Sequence, residues 1–284
     1  MTTSSNAELI KQYQLTSVSK TAPLREYLKD TWQRVDFIKE LANARSTQQY
    51  SDSLLGRLWQ LVTPLLNAAI YFLIFGVLLG TRKGIENFPA FLVAGVFAFN
   101  FMQTTITASA SCIPKNDRLI KAIHFPKLVL PLATAVNQVQ QYMISLGVLV
   151  VVALLTGEPI TLMWLALPIA LLLQASFIAG ISLIVARWGA RSKDITQLLP
   201  FFLRTWRYVS GVFFSITVFT SKFPHWIGVG LKYNPGAVYI DLIRDCVMNT
   251  ISVSYKIWVA GVVWAVMFSI IGLVYFYRGE RTYV

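Results

Sequence analysis

Six apolar runs of about twenty residues or more, separated by short polar loops, constrain this sequence more than any other feature. A run of that length is enough for an α-helix to cross the hydrocarbon core of a membrane. The short alternating segments of a transmembrane β-barrel are not found. The sequence therefore predicts an all-α polytopic membrane protein with an N-terminal segment 1–50 and a six-span domain 51–284. The predicted spans are 54–79, 88–112, 128–155, 161–186, 195–219 and 257–277.

Composition agrees with this class, because hydrophobic residues make up 55% of the chain and charged residues only 13%. A soluble domain carries roughly a quarter charged residues. The net charge of +12 would indicate nucleic-acid binding in a soluble protein. Here most cations lie in the loops between the apolar runs, so they are better explained by orientation in the membrane. We expect membrane lipids, and no nucleic acid, as partners.

Six spans place both termini on one side, and the lysines and arginines of the loops are concentrated on that side. The positive-inside rule therefore predicts a cytoplasmic location for both termini. The first twenty residues have no apolar stretch, so no cleaved signal peptide is expected. Residues 23–45 have apolar positions at three- and four-residue steps and predict one amphipathic helix. This helix is expected to lie at the membrane interface or to pack on a partner domain, and the two interpretations are compatible.

Two apolar segments before the last span, 224–233 and 236–248, are too short to cross a membrane. Asn234 and Pro235 separate them and suit the N-cap and first turn of the second segment. The pattern predicts two short helices that form a re-entrant hairpin or lie in the interface.

A basic loop, 113–131, separates the second and third predicted spans and contains Lys115, Arg118, Lys121 and Lys127. Its apolar spacing allows one or two helical turns, which end at Phe125-Pro126. Positive charge here fixes the topology of the neighbouring spans. Docking of a soluble partner is a second role for the same loop.

The sequence lacks the features of an enzyme site. It has no G-x-x-x-x-G-K-[ST] phosphate-binding loop, so we expect no ATPase site in this chain. His124 and His225, the two histidines, fall on opposite sides of the predicted membrane, and no metal site or catalytic residue is expected. The spans also lack an acidic cluster, which a membrane-embedded glycosyltransferase or an ion-coupled carrier would need.

Three stretches carry a resemblance to a known family: SLLGRLWQLVTPLLNAAIYFLIFG (53–76), NDRLIKAIHFPKLVLPLA (116–133) and YNPGAVYIDLIRD (233–245). Together, and in this order, they resemble the membrane subunits of ABC exporters that translocate lipid-linked O-antigen, teichoic acid or cell-wall galactan. The resemblance covers about residues 23–284, and the galactan permease is the most similar type. One departure is Ser210-Gly211, where many relatives read Ser-Pro, so the kink of the fifth span is expected to differ.

The resemblance implies a homodimer in a bacterial plasma (inner) membrane, associated with two copies of a separate ATPase that binds ATP and Mg. This chain would hold no cofactor. The basic loop would be the coupling helix seated in the ATPase, and the short helices would form a gate on the outer side. The implied coupling residues are Arg118, Leu119, Lys121, His124, Phe125 and Pro126. The implied gate residues are Trp226, Asn234, Pro235, Tyr239 and Arg244.

Arg204 and Arg207 are three residues apart and therefore share a helix face within the fifth run. Charges at that depth are expected to face a cavity, and a guanidinium suits the diphosphate of a polyprenyl-linked glycan. Alternatively, the helix begins below the membrane and both arginines reach lipid headgroups. Aromatic residues nearby are expected to line a sugar path or to be ordinary core and lipid-facing residues. The predicted substrate-path residues are Phe97, Phe99, Asn100, Phe101, Gln103, Arg204, Trp206, Arg207, Tyr208, Phe213 and Phe214.

The sequence therefore predicts the permease subunit of an ATP-driven exporter of a polyprenyl-diphosphate-linked polysaccharide. The alternative is an ABC permease for small hydrophobic drugs or lipids, which needs no passage wide enough for a sugar chain.

Overall fold

The computed structural model describes residues 23–50, 56–78, 80, 85–123, 125–216 and 224–280, and the regular elements in these ranges are all helical. Short 3₁₀ turns, Gly56–Leu58, Pro114–Asn116 and Leu162–Ala166, precede three of the helices. The helices are α1 (Leu24–Gln33), α2 (Val35–Tyr50), α3 (Trp59–Leu78, with a π-helical end at Phe72–Leu78), α4 (Phe88–Ala110), α5 (Asp117–Ala122), α6 (Val129–Leu155), α7 (Leu167–Arg191), α8 (Lys193–Val209), α9 (His225–Lys232), α10 (Pro235–Val247) and α11 (Tyr255–Arg278).

Five stretches in the described ranges are long and apolar enough to cross a membrane. They are α3, α4, α6, α11 and the continuous segment Leu162–Arg191 that contains α7. Each corresponds to one of the predicted spans, and the prediction of an all-α polytopic membrane protein is confirmed. Pro64 lies inside α3.

The fifth predicted run, 195–219, forms a shorter helix than expected. α8 has 17 residues and ends at Val209; Ser210 follows it, and Gly211 then adopts a left-handed φ of +67°. Glycine tolerates that conformation because it has no Cβ. Residues 217–223 of this run lie outside the described ranges. The described residues therefore contain five helical segments of spanning length, and the sixth span stays a prediction.

α4 is the central helix of the bundle. It packs against α6, α7 and α10, and most of its side chains are buried. α7 and α11 form the most extensive helix pair in the described part of the chain. A Cβ added to Gly180 would overlap the backbone of Phe268, and one added to Gly272 would overlap the backbone of Gly180. Glycines therefore permit backbone-to-backbone packing of two spans, as is common within membranes.

The predicted single N-terminal helix is divided into α1 and α2 at Arg34. The Thr31 hydroxyl donates to the Tyr27 carbonyl, and the Arg34 N–H turns back to Thr31, a local pattern that bends helices. α2 then packs along α6, where Asn137 Nδ2 donates to the Ala42 carbonyl at 2.9 Å. The helix thus contacts a membrane span of its own chain.

One end of the bundle holds α1, α2, the α5 loop and the last turn of α11. Tyr27, Ile38, Phe125 and Phe276 share one buried cluster there. The two terminal regions of the described chain therefore meet on the same end of the bundle. The assignment of that end to the cytoplasm stays a prediction.

α9 and α10 form at the opposite end. Asn234 caps α10 by accepting a hydrogen bond from the Gly236 N–H, and Pro235 occupies the first turn, so this prediction is confirmed. α10 is buried between α4, α7 and α11, whereas α9 is largely exposed. The buried course of α10 favours the re-entrant interpretation over a pair of helices lying in the interface.

Candidate functional site

A polar cavity of about 540 Å³ lies between α3, α4, α6 and α8. α3 contributes Gln60, Thr63 and Asn67, and α6 contributes Gln138, Gln141 and Ser145. Both sets have the i, i+3, i+7 spacing that places side chains on one helix face. Polar faces of membrane helices are expected to line water-filled space rather than lipid.

Arg207 supplies the positive charge of this cavity. Its guanidinium donates to Tyr71 Oη at 2.7 Å, to Asn100 Oδ1 at 2.7 Å and to Gln103 Oε1 at 2.5 Å. It also lies 5.5 Å from the Phe99 ring. These acceptors are neutral, and no carboxylate lines the described walls of the cavity. The site is therefore suited to an anion, since its charge is held in place without being cancelled.

Arg204 is not part of this arrangement. It is exposed on α8 and does not line the cavity. The structure thus separates the two arginines that the sequence placed on one face: Arg207 faces the polar cavity, and Arg204 lies on the outside of the described monomer.

The aromatic residues of the predicted substrate path fall into three groups. Phe97, Phe99, Phe101 and Phe213 are buried, each no more than 4% exposed, although the edges of Phe97 and Phe101 still line the cavity. Trp206 and Phe214 are half-buried. Tyr208 is exposed. The role of these rings as a sugar path stays a prediction, and most of them are core residues in the described monomer.

Arg244, predicted as an outer-gate residue, is fully buried and holds the end of α8 against α4. Its guanidinium donates to the carbonyls of Phe91 at 3.2 Å, Gly211 at 3.0 Å and Val212 at 2.9 Å. Asp241 lies 3.5 Å away on the same helix. A Cβ at Gly95 would meet the guanidinium at 2.5 Å, so this close approach depends on glycine.

Of the other predicted gate residues, Asn234 links α8 to the start of α10. Asn234 Oδ1 accepts from Trp206 Nε1 at 2.7 Å, and Asn234 Nδ2 donates to Ser210 Oγ at 3.1 Å. Tyr239 is buried, and its hydroxyl donates to the Gly261 carbonyl on α11. Pro235 is half-buried beside Asn234, while Trp226 on α9 is 75% exposed. The link connects the helix that carries Arg207 to the opposite end of the bundle.

The predicted coupling residues divide into an exposed helix and a buried anchor. Arg118 and Lys121 are exposed on α5, Leu119 is half-buried, and Lys121 pairs with Asp117 at 2.6 Å. Phe125 and Pro126 are buried, and the Phe125 ring packs edge-on against Phe37 of α2. His124 lies outside the described residues. Among the described residues of this set, Arg118 and Lys121 are the exposed ones that can contact another protein.

Sequence reasoning missed the contributions of α3 and α6 to the cavity. Thr63 and Asn67 flank Pro64 on α3, and Gln138, Gln141 and Ser145 continue the stripe on α6. The signal was present as polar residues at helical spacing inside apolar runs. Among the described residues no group of three His, Cys, Asp or Glu side chains is placed to hold a metal ion.

Comparison with known proteins places these features in a family. The family model described as ABC-2 type transporter matches residues 37–248. The O-antigen export system permease protein RfbA of Klebsiella pneumoniae is 28% identical over 215 residues, which cover 75% of this chain and 81% of the relative. The protein of the same name from Myxococcus xanthus is 25% identical over 190 residues, 67% of this chain and 72% of the relative. The inner membrane transport permease YadH of Escherichia coli K12 is 27% identical over 203 residues, 66% and 76% of the two chains.

Proposed function

This chain belongs to the ABC-2 type transporter family, and we propose that it is the permease subunit of an exporter for a polyprenyl-diphosphate-linked polysaccharide. Its similarity to permeases named for O-antigen export supports a polysaccharide substrate. We expect the glycan to be a cell-wall galactan, carried from the cytoplasmic to the outer side of a bacterial plasma membrane. Teichoic acid and O-antigen are the other members of the same substrate class.

The observation that carries the proposal is the guanidinium of Arg207, the one charged group among the described lining residues of a cavity whose walls are mainly amides and hydroxyls. A diphosphate is an anion that arginine binds through paired, charge-assisted hydrogen bonds. The surrounding amide and hydroxyl groups both donate and accept hydrogen bonds, as sugar hydroxyls do. A small hydrophobic drug would contact only the aromatic part of the lining, such as Trp59, Phe97 and Phe101, and would leave Arg207 and the amides without a partner.

We propose that ATP is hydrolysed by a separate subunit; the match to the ABC-2 type transporter family supports this. We propose that two copies of this chain associate with two copies of that ATPase, with both termini of each permease in the cytoplasm. Arg118 and Lys121 on α5 would contact the ATPase. The buried anchor at Phe125 would transmit a push on α5 to the cluster shared with α1, α2 and α11.

Depletion of this protein in its native cell tests the proposed substrate. Lipid extracts are analysed by mass spectrometry for polyprenyl-diphosphate glycans before and after depletion. Their accumulation would support export and would identify the sugars. Unchanged lipid-linked glycans together with altered sensitivity to hydrophobic drugs would refute the proposal and favour the small-molecule exporter.

A further inference from the structure

A second polar cavity, of about 750 Å³, lies beside the Arg207 cavity, between α2, the start of α3 and α6. Gln60 on α3 lines both cavities, so the two spaces meet at this side chain. Each volume is within the range of small-ligand sites. The second cavity lies where α2 packs on α6.

The lining of the second cavity is divided by polarity. Asn43, Ser46 and Thr47 on α2 form a polar wall, and Asn43 Oδ1 accepts a hydrogen bond from Gln140 Nε2 at 2.9 Å. Leu58 and Leu61, at the opposite wall, are 55% and 37% exposed. A molecule with a polar head and an apolar tail fits such a mouth, because head and tail each meet groups of matching polarity.

The two cavities together form one groove, and its positive charge lies in the first cavity. Among the described residues, the lining of the second cavity is uncharged, and Arg207 is the charged residue of the first. In a low-dielectric surrounding, a single uncompensated cation attracts an anion more strongly than it does in water. The polar stripes of α3 and α6 supply hydrogen-bonding groups along the way, past Gln60 to Arg207 and Asn100.

We propose that this groove is the loading route of the transporter: a lipid with an anionic head group enters between α2 and α3, passes Gln60 and binds Arg207. Its apolar tail stays at the lip formed by Leu58 and Leu61. The inference rests on the proposed function, since it concerns the head group of the exported lipid. It assigns to α2 the role of one wall of an entrance, in addition to its packing on α6.

Protection of a single introduced cysteine tests the route. In Gln60→Cys the thiol lies at the junction of the two cavities, whereas the native Cys112 and Cys246 are buried and serve as internal controls. The purified protein in lipid nanodiscs is treated with a polar maleimide, with farnesyl diphosphate or farnesol as the probe. These two probes share a tail and differ in the diphosphate.

Farnesyl diphosphate is expected to slow modification of Gln60→Cys in proportion to the fraction of occupied sites, and farnesol is not. Leu198→Cys, on the exposed side of α8 and outside both cavities, should be modified equally with either probe. Adding Arg207→Gln should remove the protection, and Arg207→Lys, which keeps the charge, should retain part of it. Equal protection by farnesol, protection that survives Arg207→Gln, no protection by farnesyl diphosphate, or no modification of Gln60→Cys without probe would each overturn the proposal.

The outcome is separable from that of the depletion experiment. Protection by farnesyl diphosphate with unchanged cellular glycans would refute the proposed polysaccharide and leave the entrance for an anionic lipid in place. Accumulated glycans without protection would refute the groove and leave the exported substrate in place.

Discussion

Arg207 is held by neutral hydrogen-bond acceptors and keeps its positive charge. Its two terminal nitrogens donate to Tyr71, Asn100 and Gln103, which hold the guanidinium in position, while its buried Nε has no hydrogen-bond partner among the described residues. Its charge is not neutralised by these acceptors, so it is available to an anionic ligand. Arg204 is exposed instead. Arg204 and Arg207 are three residues apart on one helix, yet Arg207 lies in the cavity and Arg204 lies on the exposed surface of the monomer.

Replacing Arg207 by glutamine should reduce export about tenfold or more, because charge-assisted hydrogen bonds contribute about 1.5–3 kcal/mol. Arg204→Gln is the matched control and should reduce export less. The measurement is the rate at which lipid-linked glycan reaches the outer surface in cells that express each variant at equal level. Equal losses for the two variants would contradict the distinction drawn from the cavity.

Cys112 should be unreactive despite lying in the loop that follows α4. Burial raises the pKa of its thiol from 9.0 to about 12, an effect that nearby Arg45 only partly opposes. Since the thiolate is the reactive form, its population at a given pH below 9 falls roughly a thousandfold. Alkylation by iodoacetamide, followed by mass spectrometry from pH 7 to 9, should be negligible in the folded protein. It should become complete after denaturation; rapid modification of the native protein at pH 8 would contradict this assignment.

The sequence predicts which polar residues of α4 and α8 belong to this site better than it predicts which helices form the walls of the site. Arg207, Asn100 and Gln103 were expected together because polar groups in apolar runs must face a cavity or a partner. The burial of Phe97 and Phe99 was not predictable, since helical spacing defines a face but not the neighbour that it meets. The wall residues on α3 and α6 required the packing of two helices that are distant in sequence.

At the scale of elements, the helix ends follow local rules and the length of α8 does not. Asn234 and Pro235 start α10 as their types predict. α8 ends at Val209 although apolar residues continue, and Arg244 from a distant helix holds the left-handed backbone at Gly211, two residues beyond this end. Such a tertiary contact is invisible in the hydropathy of the run. The bend at Arg34 has a local cause, but the hydrophobic pattern of residues 23–45 is that of one continuous helix.

The α7–α11 pair should be sensitive to a single methyl group. Gly180→Ala places a Cβ against the backbone of Phe268 and should destabilise the protein by about 1–3 kcal/mol. Gly147→Ala, on α6, meets no atom within 4 Å and should be neutral or slightly stabilising. Thermal unfolding of the purified proteins in detergent measures both. Similar unfolding temperatures for the two variants would refute the close helix packing.

α5 should determine association with the ATPase without affecting the fold. Arg118→Glu combined with Lys121→Glu reverses two exposed charges, and we expect co-purification of the ATPase to fall about tenfold or more. Lys29→Glu, an exposed charge reversal on α1, is the control. If the double variant retains normal ATPase binding and export, α5 is not the coupling helix.

At the scale of the whole molecule, three regions are connected through helices that are in contact. The α5 loop and the N-terminal helices share a buried cluster at one end, the Arg207 cavity lies within the bundle, and Asn234 links α8 to α10 at the other end. A movement of the α5 loop can therefore reach the cavity through helices in direct contact. This arrangement is consistent with a permease driven by a separate ATPase.

The most direct test of this account is the sidedness of lipid-linked glycan after depletion of the protein. Spheroplasts and inverted membrane vesicles from depleted cells are treated with a glycosidase that cannot cross the membrane, and the surviving lipid-linked glycan is measured. The account predicts that the glycan accumulates and is digested only in inverted vesicles, with digestion in spheroplasts restored by the wild-type chain and not by Arg207→Gln. Glycan that still reaches the outer surface at the normal rate without this protein would contradict it.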